Sequence, residues 1–271
     1  MNSRIPPFHW WRTVFFLIPA IALYTIVLGT ISVLSSFFNH GYFAHRCART
    51  WSRLILLTTG VTVGVTGLER LDPNGTYVFV SNHQSIYDIP VLFWSLPQQL
   101  RIIAKESLGR FPFIGWHLRR TGHLLVDRSR PDRHKLFAWA NRLTEHRLSL
   151  FFFPEGTRSR DGRVGPFKTG SFYLALEAGL TIVPLSIVGS RHVMLKGRLA
   201  TYPGHVWLVV HDPIETTGFT GRNRREFAER VRQIIMPAAE SDVEAVPPDT
   251  HSDASSRDAV VHEPHGVAPH S

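Results

Sequence analysis

Cysteine is almost absent from this sequence: Cys47 is the only one in 271 residues. That excludes an internal disulfide and a zinc site built on cysteine pairs, and the chain needs no oxidising compartment. No internal repeat is present, so solenoids and propellers are set aside. No G-x-S-x-G turn occurs either, which removes the usual signature of a serine nucleophile on an α/β sheet. Residues 237–271 are poor in apolar periodicity and carry Pro, Ser, Asp, Glu and His, the composition of a disordered tail. Its histidines, His251, His262, His265 and His270, have irregular spacing, no cysteine among them and no fold to hold them, so no metal is expected. Acidic side chains are outnumbered: 30 Lys and Arg face 21 Asp and Glu, a formal net charge of +9. The excess favours an acidic partner, which composition leaves open between nucleic acid, an anionic membrane face and a phosphorylated substrate.

Charge is also missing from one long stretch. Between Thr13 and Phe38 no Asp, Glu, Lys or Arg occurs, enough chain to supply the ~20 apolar residues that span a bilayer. Trp10, Trp11 and Arg12 precede it as interfacial anchors would. A cleaved signal peptide with processing at Ala20-Ile21-Ala22 fits less well, because the apolar character continues well past that point. Arg46, Arg49 and Arg53 follow the run, Arg4 and Arg12 precede it, and positive-inside logic leans towards a catalytic body facing the cytosol, at the inner membrane in a bacterium. A membrane-inserted start argues against a nucleic-acid partner. Residues 42–57 mix Arg with Trp51, Leu54, Ile55 and Leu57 and predict an amphipathic helix against the membrane or the body. Residues 56–67 are apolar but glycine-broken and short for a second crossing, so a strand is expected there.

From Thr76 onward short β-rich runs alternate with helical stretches. The runs are 77–80, 101–104, 123–126, 148–153, 181–187 and 206–210. Ser129-Arg130-Pro131 reads as the start of a helix through Glu145, Gly179 as the stop of one opening near Thr169, and Pro237 as the end of a last helix, 222–236. The alternation predicts an α/β fold, a mixed, largely parallel sheet flanked by helices, with an N-terminal membrane helix and a membrane-proximal amphipathic helix. The expected organisation is residues 1–58 for anchoring, 59–236 for a catalytic domain and 237–271 for the tail.

Two polar clusters sit where buried strands should end, the usual place for chemistry in such sheets. The first is Asn82-His83-Gln84-Ser85-Ile86-Tyr87-Asp88, with a helix expected to open over Ser85 to Asp88. An aspartate there can reach back to one imidazole nitrogen and fix the tautomer, leaving the other nitrogen to take a proton from a hydroxyl. The rival reading makes Asn82 and Ser85 helix caps, Asp88 a dipole partner and His83 a bystander. The second cluster is Phe153-Pro154-Glu155-Gly156-Thr157-Arg158-Ser159. Gly156 clears the backbone for a phosphate, Arg158 offers a planar fork for two of its oxygens, and Glu155 can hold that arginine or a substrate hydroxyl. Lys168 adds a cation at the opening of the next helix.

In order and wording these blocks resemble the glycerolipid acyltransferases, above all the 1-acyl-glycerol-3-phosphate (lysophosphatidic acid) acyltransferases. Asn82 to Asp88 matches their N-H-x-x-x-x-D block, and Gly122 to Arg128 matches a second block that ends in hydrophobic-Asp-Arg. Phe153 to Ser159 matches F-P-E-G-T-R-S without a substitution, and Ile182-Val183-Pro184-Leu185 matches a proline-bearing strand, with Leu185 where a smaller β-branched residue is common. The resemblance implies that His83 is the general base, that Asp88 orients it, and that Arg158 helps bind the acceptor phosphate, with Glu155, Gly156 and Thr157 shaping that site. Arg128, Lys105 and Lys168 become further candidates for phosphate or donor contacts. The implied partners are membrane lipids, lysophosphatidic acid and an acyl-CoA or acyl carrier protein donor, with no cofactor and no metal. Glycerol 3-phosphate, another lysophospholipid or an ornithine-lipid precursor stay open as acceptors. A hydrolase using His83 and Asp88 on water, and a non-catalytic anionic-lipid binder, are the readings from other classes.

Overall fold

The charge-free run folds as one helix, α1 (Phe8–Ser35), with a π-helical turn over Thr13–Leu17. The structure is a computed structural model that describes residues 8–37, 42–126, 139, 145–177 and 179–241. Among those residues α1 is the one helix long and apolar enough to cross a membrane. Its outer face exposes Phe15, Phe16, Leu23, Ile26, Ile31 and Leu34. Its inner face is docked from end to end. Near the start, Arg12 donates to the Thr59 carbonyl at 2.8 Å and Thr13 Oγ1 accepts from the Thr201 N–H at 2.9 Å. Midway, Trp51 donates to Thr25 Oγ1 at 3.0 Å. Near the end, Ser32 Oγ lies 2.6 Å from His117 Nδ1, and Gly29 approaches Phe113 so closely that a Cβ there would stand 3.2 Å from the Phe113 Cβ.

The second expected helix is α2 (Tyr42–Thr59). Ala44, Cys47, Ser52, Ile55, Leu56 and Thr59 recur at helical spacing and are buried, whereas Arg46 and Arg53 are exposed, so the predicted amphipathic pattern is present. The chain then enters strand β1 (Val61–Thr66), as expected for a segment too short and broken to cross again.

The remaining strands are β2 (Val78–Ser81), β3 (Leu100–Lys105), β4 (Leu124–Val126), β5 (Ser149–Phe152), β6 (Ile182–Val188) and β7 (Gly204–Val210). They form one sheet in the order β1-β7-β6-β2-β5-β3-β4. β6, β2, β5, β3 and β4 run parallel, β7 is antiparallel to β6, and β1 runs parallel to β7. β2 lies between β5 and β6 and is buried throughout, which is why it reads as an unbroken apolar run rather than an alternating one.

Helices cover both faces. Against one face lie α2 and α3 (Asp88–Ser95), packed on Phe79, Phe151, Val183, Leu185 and Ile187. Against the other lie α5 (Gly170–Glu177) and α7 (Arg224–Glu240), packed on Val78, Val80, Leu150 and Ile182. The short helices α4 (Ile114–Arg120) and α6 (Ser190–Val193) sit at the periphery.

Three boundaries differ from the sequence reading. The helix after His83 opens at Asp88 rather than Ser85, because the Asp88 carboxylate accepts the Gln84 and Ser85 N–H groups and holds 84–87 as a loop. Pro237 does not end the last helix: it lies in the final turn of α7, where its missing N–H removes one hydrogen bond while buried Ile235 and Ala239 hold the turn to the core. The last helix therefore runs past residue 236, and the described residues continue to Ser241. The expected helix through Glu145 lies largely outside the described residues, as do Arg128 and the tail beyond Ser241. Gly179, in the left-handed conformation (φ 61°), closes the helix before it, as anticipated.

Between α1, α2, α4 and the sheet lies a buried basic layer: His45, His117, His123 and Arg101. Burial, reinforced by the Arg101 charge, holds His45 down to about 3 and His117 down to about 4, and pushes His123 well below its ordinary value. All three are therefore neutral in the folded protein at neutral pH. Folded values below the unfolded value of about 6.5 mean that their contribution is complete above that pH and is lost as pH falls through the range down to about 4 and then 3. Thermal unfolding in detergent should show stability falling on acidification below about pH 6.5, by up to about 1.4 kcal/mol per pH unit for each histidine that gains its proton only on unfolding. His117→Asn, which cannot titrate, should flatten that slope; an unchanged slope would show that His117 takes no part.

Candidate active site

β2 ends at the carboxyl edge of the sheet, and Asn82 fixes where it ends. Its side-chain amide donates to the Ile187 carbonyl and accepts the Ile187 N–H, both at 2.8 Å, so a side chain substitutes for one more rung of the β2–β6 ladder. Asn82 is thus a strand clamp and not a helix cap. The next residue, His83, is then held on every side. Its N–H donates to Glu155 Oε1 at 2.8 Å, and its carbonyl accepts the Ser159 N–H at 2.7 Å. Its ring stacks on Phe153 with centroids 3.9 Å apart and planes 10° from parallel. Its Nδ1 lies 2.7 Å from Asp88 Oδ2.

Asp88 is completely buried, and its Oδ2 also accepts the N–H groups of Gln84 at 2.8 Å and Ser85 at 3.0 Å. A carboxylate can only accept, so Nδ1 carries the proton. Nε2 is left with its lone pair and, among the described residues, with no hydrogen-bond partner; the side chain keeps 16% of its surface exposed. The arrangement is that of a general base with a fixed tautomer and one open nitrogen.

The second cluster wraps around the first. β5 delivers Phe153 beneath the His83 ring, and the chain turns at Gly156, in the left-handed region at φ 73°. A Cβ on Gly156 would stand 2.8 Å from Lys168 Nζ, the movable end of a flexible side chain, so it is the left-handed turn that favours glycine here. Glu155 points inward: Oε1 takes the His83 N–H, and Oε2 takes the Gly165 N–H at 3.1 Å. Burial pushes its carboxyl above the ordinary value, while the His83 and Gly165 N–H donors pull it back down. With one backbone N–H on each oxygen, Glu155 binds the loops together and makes no contact with the Arg158 side chain among the described residues.

Arg158 is half-buried, with no side-chain hydrogen bond or acidic partner among the described residues. Thr157 Oγ1 accepts from Lys196 Nζ at 2.8 Å, and the Arg158 carbonyl accepts from the same ammonium at 2.7 Å. Lys196 was not singled out in the sequence: it lies between α6 and β7 in no recognisable motif. The structure therefore gathers His83, Asp88, Glu155, Gly156, Thr157, Arg158 and Lys168 at one place. Lys105 ends β3 at the same carboxyl edge, exposed and one strand beyond β5, with no hydrogen bond to the others. No group of three or more His, Cys, Asp or Glu able to hold a metal is found among the described residues.

Comparisons with known proteins agree with this geometry. Residues 62–188 match the acyltransferase family model. The chain is 37% identical over 175 residues to the chloroplastic 1-acyl-sn-glycerol-3-phosphate acyltransferase BAT2 of Brassica napus, covering 64% of this chain and 50% of that protein. It is 33% identical over 153 residues to the 1-acyl-sn-glycerol-3-phosphate acyltransferase of Haemophilus influenzae, 56% of this chain and 63% of that one. The chain spans about half the length of its relatives from Brassica napus, Arabidopsis thaliana and Chlamydomonas reinhardtii. Among solved structures, the 1-acyl-sn-glycerophosphate acyltransferase PlsC of Thermotoga maritima superposes with a TM-score of 0.68 at 26% identity, over 84% of this chain and 97% of that chain. Family model, relatives and fold converge on one conclusion: residues 62–188 of the chain form an acyltransferase domain.

Proposed function

We propose that this protein transfers an acyl group from a thioester, acyl-CoA or acyl carrier protein, to the sn-2 hydroxyl of 1-acyl-glycerol 3-phosphate, giving phosphatidic acid. The observation that carries the reading is His83, fixed at its backbone, ring face and Nδ1 and open at Nε2, beside a turn whose cations form no ion pair among the described residues. Nε2 takes the hydroxyl proton as the oxygen attacks the thioester carbonyl. The new C–O bond forms, the C–S bond breaks, and the proton passes from His83 to the departing thiolate. Asp88 holds the imidazole and stabilises the imidazolium between those steps. Arg158, with the cations beside it, binds the acceptor phosphate. No acyl-enzyme and no cofactor beyond the co-substrate are needed, and Cys47, buried in α2, takes no part. The exposed face of α1 enters the membrane from which the lysolipid is drawn, and the basic residues of α2 favour a catalytic domain on the cytosolic side.

Three outcomes are expected. The protein should stay with membranes through high-salt and alkaline washes, since apolar insertion is insensitive to salt; release by salt alone would reduce α1 to a peripheral contact. His83→Ala should lower kcat by about 10² to 10⁴ in a protein that still folds and sediments with membranes, and Asp88→Asn should also lower kcat strongly. A folded His83→Ala protein with retained turnover would overturn the mechanism. Arg158→Lys keeps the charge and loses the fork, so KM for lysophosphatidic acid should rise by roughly the weight of one charge-assisted hydrogen bond, ~1.5 to 3 kcal/mol, with little change in KM for the thioester. Equal losses on lysophosphatidic acid and on an uncharged monoacylglycerol would make Arg158 structural.

A further inference from the structure

The Gly156–Arg158 turn is gripped by a segment far from it in sequence. Lys196 comes from the connection between β6 and β7, and its ammonium donates to Thr157 Oγ1 and to the Arg158 carbonyl. Both acceptors are neutral oxygens. An ammonium has three protons to donate, and among the described residues Lys196 forms no ion pair, so one donor and the whole charge remain uncommitted. On the other flank of the turn, Lys168 Nζ stands over Gly156. The acid nearest in sequence, Glu155, is turned away with both oxygens on backbone N–H groups. Two ammonium groups thus flank the turn that carries Arg158, and among the described residues none of the three cations pairs with a carboxylate, a concentration of charge suited to a doubly charged phosphate monoester more than to a diester or a zwitterion.

We propose that Lys196 is a positioning residue for the acceptor: it fixes the carbonyl of Arg158, and so the direction in which the guanidinium leaves the turn, and it turns its remaining N–H towards the same phosphate monoester. The inference rests on the acyl-acceptor reading of the site. A second cation of the same connection, Arg191, donates to the Arg160 carbonyl at 3.2 Å and supplies an internal control, since it straps the same loop two residues further on without reaching Arg158.

The test is steady-state kinetics of the full chain in detergent with lysophosphatidic acid and monoacylglycerol, together with equilibrium binding of each lipid. Lys196→Met should raise KM and Kd for lysophosphatidic acid about tenfold or more, the loss expected for a charge-assisted contact, with kcat, thioester KM and monoacylglycerol binding within about twofold. Lys196→Arg should recover to within about threefold, and Arg191→Met should stay near wild type. Combined with Arg158→Lys, Lys196→Met should cost less than the product of the two single effects, because one acts through the other. Thr157→Val, which removes one anchoring oxygen and leaves the lysine, should raise the acceptor KM in the same direction, and it keeps the test usable if Lys196→Met fails to fold. Unchanged acceptor KM and Kd, or equal losses for both lipids that Lys196→Arg does not recover, would overturn the proposal. A wild type that binds lysophosphatidic acid without acylating it would refute the acyl-transfer reading, while the binding comparison would still decide the role of Lys196.

Discussion

The site depends on one buried carboxylate. Glu155, buried at the turn after β5, accepts two backbone N–H groups, one from His83 and one from Gly165, and so ties that turn to the loop after β2 and to the chain leading into α5. Each N–H would cost about 1 to 3 kcal/mol if left buried without an acceptor, so the carboxylate sets the geometry far more firmly than a neutral turn contact would. His83 inherits its position from that bond, from the Ser159 N–H on its carbonyl and from the Phe153 ring beneath it. Asp88 then needs only to fix the imidazole, which it does with the same oxygen that holds the Gln84 and Ser85 amides. These contacts leave His83 Nε2 without a hydrogen-bond partner among the described residues.

Strand polarity explains why the cations arrive where they do. β2, β5 and β6 run parallel and release their carboxyl ends along one edge, so the His83 loop and the Arg158 turn emerge side by side. β7 then returns antiparallel to β6, which leaves the whole connection between them at that same edge. Lys196 and Arg191 reach the Arg158 loop through this single reversal of direction; a helical crossover after β6 would have carried the next segment to the opposite edge.

The N-terminal helices obey a different constraint. α1 keeps an apolar face outward and a docked face inward, and on the docked face Thr13, Tyr24, Thr25 and Ser32 each meet a partner. Beneath it the histidine layer is kept neutral by burial and by Arg101, so the join between the N-terminal helices and the sheet tolerates no added proton without cost.

Much of this was legible in the residues themselves. The absence of charge from Thr13 to Phe38 marked the apolar helix, the alternation of β-rich and helical runs marked an α/β sheet, and the two motif blocks marked the strand ends where polar groups gather. Local spacing carries such signals because helix and strand periods are local properties. The sequence could not say that Asn82 is a clamp on Ile187, that Glu155 faces inward, that the helix waits until Asp88 because Asp88 is already occupied by loop amides, or that α7 continues through Pro237. It was silent on Lys196 altogether, which lies in no motif and acquires its meaning only from contact with a turn 38 residues earlier in the chain. Residue type and spacing determined which chemistry the chain can carry; the direction of β7 and the sharing of two N–H groups by one carboxylate, both consequences of tertiary packing, decided which side chains would perform it together.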